Sequence, residues 1–373
     1  MSSPKKHKPA AKSRKRAAKA ARHKRDKKKP TSSLFIERLF RLSPVSPAWT
    51  GLLFVICSIA LLSMAEIVTG RASLIFDPRN FDPEGPSGGY LWVLLHILLL
   101  AYTPTALVVL IREARLNAQL LTGLVAKNDE VRTLLARVGT YPKLGYWISG
   151  LTGLVIAIFA PYWDVEVWRE HLFSPYDILN NSPEVWAQRT MAPIFGFFAG
   201  IMPFAGLIEG HRFNRLARHV TDASVLEKAS LVPFTRQGLS NVLIISGWPA
   251  IMSLFLFNMG LVYMVVSVSI WALALAIAGL IWPLVGIHNR IKAAKEEQID
   301  WVNRKLIEEK TNLRRGRDTN FSELMSYRAY IESVRQWPLD GSTISRLAFY
   351  LAIPLISWSG AAMVERMIDS ALG

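Results

Sequence analysis

Apolar residues in this chain are gathered into blocks of about twenty, separated by connectors that carry most of the charged side chains. A helix of that length, rising about 1.5 Å per residue, crosses the ~30 Å hydrocarbon core of a bilayer. The pattern therefore predicts an all-α, polytopic integral membrane protein with about seven transmembrane helices. The predicted spans are residues 49–69, 91–111, 144–163, 191–208, 239–257, 261–287 and 344–364.

The count of seven depends on how the longest apolar stretch is divided. No Asp, Glu, Lys or Arg occurs between Arg236 and His288, and this stretch is too long for one span. The tripeptide Asn258-Met259-Gly260 near its middle is typical of a turn. It divides the stretch into the fifth and sixth spans, and an odd number of spans places the two termini on opposite sides of the membrane.

Lys and Arg residues are distributed unevenly among the connectors. The rich segments are 1–42 with sixteen, 113–143 with five, 211–238 with five and 288–343 with eleven. They alternate along the chain with poor connectors: 70–90 and 164–189 contain two each, and the turn at 258–260 contains none. Because connectors rich in Lys and Arg stay in the cytoplasm, the N-terminus is predicted inside and the C-terminus outside. The expected location is the cell's inner or plasma membrane.

The same pattern divides the chain into four parts. These are a disordered basic cytoplasmic tail at 1–33, a membrane domain with spans one to six at 34–287, a cytoplasmic helical hairpin at 288–343, and a seventh span with a short external C-terminus at 344–373.

The formal net charge is +16, and most of it belongs to the tail. Like charges keep a segment disordered, and beside a bilayer their expected partners are the lipid bilayer's anionic headgroups. Nucleic acid is not an expected partner, because the tail lacks aromatic residues for base stacking.

The connector after the sixth span is predicted to extend that span as a helix into the cytoplasm. No Pro or Gly separates Ile287 from Arg315, and an apolar stripe on this helix requires a partner. The stripe consists of Ile299, Val302, Leu306 and Leu313, and the next predicted helix offers Leu324, Ile331 and Val334. We expect the two to pair in coiled-coil fashion as an antiparallel hairpin. Residues 113–138 are expected to add a third face, giving a small cytoplasmic helical bundle.

Few polar side chains lie inside the predicted spans. Glu66 and His96 fall at similar depth in the first two spans, which makes them a candidate intramembrane polar pair; the alternative is that each is satisfied locally near the headgroups. Glu209 and Arg212, at the cytoplasmic mouth of the fourth span, are interpreted as boundary residues.

Small residues recur at four-residue spacing in the third and fourth spans. They allow close helix packing, and they are Gly145, Ser149 and Gly153 in the third span and Gly196 and Gly200 in the fourth.

Motifs of known enzyme classes are absent from the sequence. There is no Walker A, HExxH or GxSxG pattern and no dinucleotide fingerprint. The single cysteine, Cys57, lies within the first span and excludes a Cys-based metal site. We therefore expect no catalytic residue, no metal and no cofactor.

The sequence leaves two classes of function open. The first is a non-enzymatic multi-pass membrane protein whose cytoplasmic bundle mediates assembly or signalling, with homo-oligomers as one form of that assembly. The alternative is an ion channel or small-solute transporter formed by the seven spans. In topology alone, the arrangement resembles insect odorant-receptor channels, whose sixth helix also runs into a cytoplasmic helical bundle.

Overall fold

The computed structural model describes residues 35–43, 45–68, 88–159, 183–221, 228–254, 262–315 and 320–372. Within these ranges the chain forms ten α-helices joined by turns, which confirms the all-α fold. In chain order they are α1 Phe35–Leu42, α2 Pro47–Val68, α3 Gly88–Leu121, α4 Asp129–Arg137, α5 Lys143–Phe159, α6 Pro183–Ala217, α7 Lys228–Ser253, α8 Val262–Arg314, α9 Phe321–Ser333 and α10 Gly341–Leu372. The predicted tail, 1–33, and the predicted turn at 258–260 lie outside the described residues.

Four helices in the described part of the chain are long and apolar enough to cross a membrane. The stretches concerned are Pro47–Ala65 in α2, Val93–Leu121 in α3, Thr190–Ala217 in α6 and Val265–Thr311 in α8. They support an integral, multi-pass membrane protein. Helix α5 is apolar but shorter, and α5, α7 and α10 occupy the positions of the predicted third, fifth and seventh spans.

Short polar side chains define the start of two helices at the predicted cytoplasmic side. The Asn128 side chain accepts a 2.8 Å hydrogen bond from the backbone N–H of Val131 and caps α4. The Asp340 carboxylate accepts one of 2.8 Å from the backbone N–H of Thr343 and caps α10. Both caps satisfy N–H groups that the first helical turn leaves without a partner.

Helices α3, α6, α7 and α8 form a four-helix core. Helix α3 packs on α6 and α7, and α8 packs on the same two helices from the other side. The remaining helices surround this core: α2 lies on α3, α5 on α6, α10 on α7 and α9 on α8. Fully buried Leu107, Ile201 and Leu284 fill the centre of the core.

The core continues beyond the predicted spans toward the cytoplasmic side. Phe213 of α6 and Phe234 of α7 are fully buried and meet edge to face, with ring centroids 6.2 Å apart. Ile291 of α8 is also fully buried. The cytoplasmic ends of the core helices are therefore held together by apolar packing outside the predicted membrane region.

The packing of residues 113–138 differs from the expectation that they add a third face to the hairpin. They pack mainly on α6 and α7, and Leu121, Val131 and Leu134 are buried there. The reason lies in the backbone: the N–H of Ala126 donates to the carbonyl of His219 at 2.9 Å, and the N–H of Thr221 donates to the carbonyl of Leu124 at 3.1 Å. These bonds fix the turn before α4 to the end of α6.

Candidate functional site

The α8–α9 hairpin is the most prominent feature outside the predicted membrane region. Helix α8 has 53 residues, so at about 1.5 Å per residue it is about 80 Å long. A bilayer core accounts for only ~30 Å of that length. The remainder projects as one continuous helix, and α9 folds back along it.

Side chains of α8 fix the C-terminal end of α9. The Lys295 ammonium donates to the carbonyl oxygens of Glu332 at 2.6 Å and of Val334 at 3.1 Å, which caps α9. The His288 ring stacks on the Trp337 ring with centroids 4.3 Å apart, and its Nδ1 lies 3.1 Å from the Gln336 carbonyl oxygen. The hairpin is therefore anchored at the end near the membrane.

The structure brings most of the predicted seam residues to the contact between α8 and α9. Val302 and Ile331 are fully buried. Partly buried around them are Ile299, Leu306, Leu324 and Val334. The side chain of Leu313 lies outside the described residues.

One side of the hairpin carries exposed aromatic residues, which we name the aromatic strip: Trp301, Tyr327 and Tyr330. The Trp301 and Tyr327 rings meet at right angles with centroids 6.5 Å apart. Tyr330 follows Tyr327 by three residues and so shares its face of α9. Trp301 is 43% exposed and Tyr330 57% exposed. These side chains belong to the projecting part of the hairpin, so in the predicted topology they face water and not lipid.

A second feature is a cluster of charged residues near the predicted cytoplasmic boundary. The Arg115 guanidinium donates to both carboxylate oxygens of Glu37 and, at 2.9 Å, to the carbonyl oxygen of Gly139. The Glu209 carboxylate accepts from Arg212 at 2.6 Å and from the backbone N–H of Gly139 at 3.0 Å. The cluster therefore ties α1 to α3, and the turn before α5 to α6.

Tyr141 completes this charged cluster. Its ring is buried beneath the Arg212 guanidinium, 5.6 Å from the ring centroid, and its hydroxyl faces Glu209. Burial and the neighbouring Glu209 carboxylate raise the pKa of the Tyr141 phenol well above its ordinary value. The phenol therefore stays neutral. Each carboxylate of the cluster lies against one guanidinium group, Glu37 against Arg115 and Glu209 against Arg212, and these contacts join the helices.

Glu209 and Arg212, interpreted above as boundary residues, are both part of this buried cluster. Glu209 is fully buried and Arg212 is mostly buried. The sequence analysis missed this burial, because Gly139 and Tyr141, which contact Glu209, come from a turn that lies far from it in the sequence. The i,i+3 spacing of an acid and an arginine was the one local signal.

A chain of buried amides connects three core helices. Asn117 of α3 donates to Gln237 of α7 at 3.0 Å, Gln237 donates to Asn241 at 3.1 Å, and Asn241 donates to the carbonyl oxygen of Gly279 in α8 at 2.9 Å. All three amide side chains are almost completely buried. The sequence analysis missed this chain, although Gln237 and Asn241 at i,i+4 were a readable signal.

The predicted small residues of the third and fourth spans face each other between α5 and α6. A Cβ atom on Gly153 would overlap the backbone of Gly196 and Gly200, and one on Gly200 would overlap the carbonyl oxygen of Ser149. Gly145 lies against the ring of Phe204. The two backbones therefore approach as closely as small residues allow.

The candidate pair of Glu66 and His96 stays a prediction. Helix α2 packs on α3, which carries His96 as a partly buried side chain. The side chain of Glu66 lies outside the described residues.

Comparison of this chain with protein-family models, curated proteins and solved structures finds no match. Within the described residues there is no group of three or more His, Cys, Asp and Glu side chains that could hold a metal ion. Function is therefore inferred from the residues and contacts above.

Proposed function

We propose that this chain is a non-enzymatic membrane protein with seven spans, a cytoplasmic N-terminus and an external C-terminus, and that its α8–α9 hairpin joins copies of the chain into a homo-oligomer. The observation that carries the proposal is the aromatic strip. Trp301, Tyr327 and Tyr330 are large, exposed and placed on a helix pair that extends beyond the length a bilayer covers.

Exposed aromatic residues on a soluble surface favour a protein partner. Trp and Tyr are the residues most enriched among those that dominate binding energy at interfaces. Each carries a large apolar area with few rotatable bonds, so ordering it costs little conformational entropy. The hairpin is also fixed in advance by the Lys295 cap and the Val302–Ile331 seam, which lowers the cost of association further.

The charges beside the strip favour a second copy of the same chain. Both signs are present on the hairpin surface, as in the pairs Lys305–Glu308 at 2.8 Å and Arg328–Glu332 at 2.9 Å. In a two-fold symmetric dimer the same patch meets itself, so a mixed patch can place opposite charges across the interface. A patch of one sign would repel its copy.

The test is the oligomeric state of the full-length protein in mild detergent, measured by light scattering over a range of concentrations. We expect the parent protein to form oligomers. Tyr330→Asp should weaken their association at least about tenfold, which is the effect of removing a central aromatic side chain from an interface. The matched control is Met325→Asp, because Met325 is 45% exposed on the same helix and lies on a different face.

Retained helical circular dichroism in both variants shows that the hairpin is still folded. Parent protein that stays monomeric, or equal weakening by the two substitutions, would contradict assembly through the aromatic strip. Weakening by Tyr330→Asp alone supports it.

The amide chain is the observation that favours the alternative, a channel or transporter. It places polar groups between core helices, where a path for a solute would run. However, the cavity beside Asn241 measures about 20 Å³, which is room for about one water molecule. Ion flux into liposomes that contain the purified protein separates the two functions, since assembly through the hairpin requires no flux.

A further inference from the structure

A cleft opens beside the α9–α10 connection, at the level where the predicted spans meet the cytoplasm. It has a volume of about 1010 Å³ and lies between α7, residues 334–340 and the first turns of α10. This volume is at the upper end of the range for small-molecule sites. The aromatic strip does not line this cleft.

Three arginine side chains line the cleft: Arg236, Arg335 and Arg346. Arg236 forms an ion pair of 3.0 Å with Glu113. Neither Arg335 nor Arg346 has an ion-pair partner among the described residues, and both are exposed. The other acid in the cleft, Asp340, already accepts the hydrogen bonds that cap α10. With three arginines against two carboxylates, Glu113 and Asp340, the cleft has a surplus of one positive charge.

The walls of the cleft toward the predicted membrane are apolar. Leu239 and Leu243 of α7 and Tyr350 of α10 form them. In the proposed topology Arg236 comes just before the fifth span, and Arg346 lies in the first turns of the seventh. Positive groups at headgroup level above an apolar wall match the two ends of one amphipathic molecule.

We propose that this cleft binds one anionic phospholipid from the cytoplasmic leaflet. Arg335 and Arg346 bind the phosphate, because a guanidinium forms paired, charge-assisted hydrogen bonds with phosphate oxygens. The acyl chains lie along Leu239, Leu243 and Tyr350. Basic pockets between membrane helices on the cytoplasmic side are the kind of site that anionic headgroups occupy. The inference rests on the membrane boundary of the proposed topology and does not require assembly through the hairpin.

The experiment uses the purified full-length protein in mild detergent with either dioleoyl phosphatidylglycerol or dioleoyl phosphatidylcholine. Native mass spectrometry counts the lipid molecules that each protein chain retains. We expect one tightly retained phosphatidylglycerol and no equivalent phosphatidylcholine. Arg346→Gln should weaken its retention by about tenfold, the effect of losing one charged contact to phosphate. The matched control is Arg132→Gln, an exposed arginine on α4 outside the cleft.

Each outcome decides the proposal. Selective loss of the lipid in Arg346→Gln supports the cleft as its site. Equal retention by the Arg346 and Arg132 variants would assign the lipid to another basic surface, such as the tail, and overturn the proposal. Displacement of the lipid by an equal concentration of glycerol 3-phosphate would show a site for soluble phosphates instead. A monomeric protein that still retains the lipid selectively supports the cleft as its site and contradicts only the proposed assembly through the hairpin.

Discussion

At the scale of single residues, the contact between α5 and α6 depends on positions where a side chain has no space. The clearest is Gly153, whose hydrogen is directed at the backbone of Gly196 and Gly200. Adding one methyl group there requires the two helix backbones to move apart, because neither backbone can yield as a flexible side chain would. The consequence can be tested with one substitution.

We expect Gly153→Ala to destabilise the full-length protein by about 1–3 kcal/mol, the usual cost of overpacking a close contact. Gly206→Ala is the matched control on α6, because a Cβ atom there meets no heavy atom within 4 Å. Alanine also favours a helix over glycine, so the control should be neutral or slightly stabilising. Thermal unfolding in detergent measures both. Equal midpoints for the two variants would mean that α5 and α6 are farther apart than described.

The charged cluster shows where residue-level reasoning from sequence stops. The four-residue spacing of Gly145, Ser149 and Gly153 is a local pattern, so it was readable from the sequence. The burial of Glu209 was not readable, because its partners Gly139 and Tyr141 come from a turn some seventy positions away. The local sequence around Glu209 predicts a position at the membrane boundary, and its carboxylate becomes buried only through tertiary contacts.

At the scale of elements, the hairpin consists of two helices of different character. The cytoplasmic part of α8 continues a membrane helix, whereas α9 is a separate helix of 13 residues. A helix this short is marginal on its own in water. Helix α9 is therefore maintained by its seam with α8 and by the Lys295 cap at its end.

We predict that Ile331→Ala destabilises the hairpin by about 2–5 kcal/mol, because Ile331 is fully buried in the seam and its removal leaves a cavity. Ile307→Ala is the matched control on α8, since Ile307 is 68% exposed and loses little burial. Hydrogen exchange of 288–334 in the full-length protein reports the difference. If the two alanine variants exchange at the same rate, α9 is not maintained by this seam.

The helices themselves could be predicted from the sequence better than their partners. The twenty-residue apolar blocks and the stretch without Pro or Gly after Ile287 are local features, and helices occupy those positions. The partner of 113–138 is not a local feature. Its apolar stripe fits any apolar face, and the choice of α6 over the hairpin follows from backbone bonds between 124–126 and 219–221.

At the scale of the whole molecule, one helix connects the four-helix core to the projecting hairpin. Helix α8 belongs to both, since Leu284 and Ile287 pack in the core and Val302 packs in the hairpin. The helix continues through Pro283 from the core into the hairpin. Association of two hairpins would therefore orient the two membrane cores relative to each other.

The orientation of the protein in the membrane can be tested by labelling single cysteines. Cys57 is the only cysteine in the chain, so a Cys57→Ala background permits single reporters in the full-length protein. A thiol reagent that cannot cross the membrane should label Gly373→Cys in intact cells. It should label Ser322→Cys, an exposed position on α9, only after the cells are permeabilised. The physical reason is the retention of Lys-rich and Arg-rich connectors on the cytoplasmic side. Protection of both positions in intact cells would mean an even number of spans, and the division of the stretch between Arg236 and His288 would then be the part of the topology that is wrong.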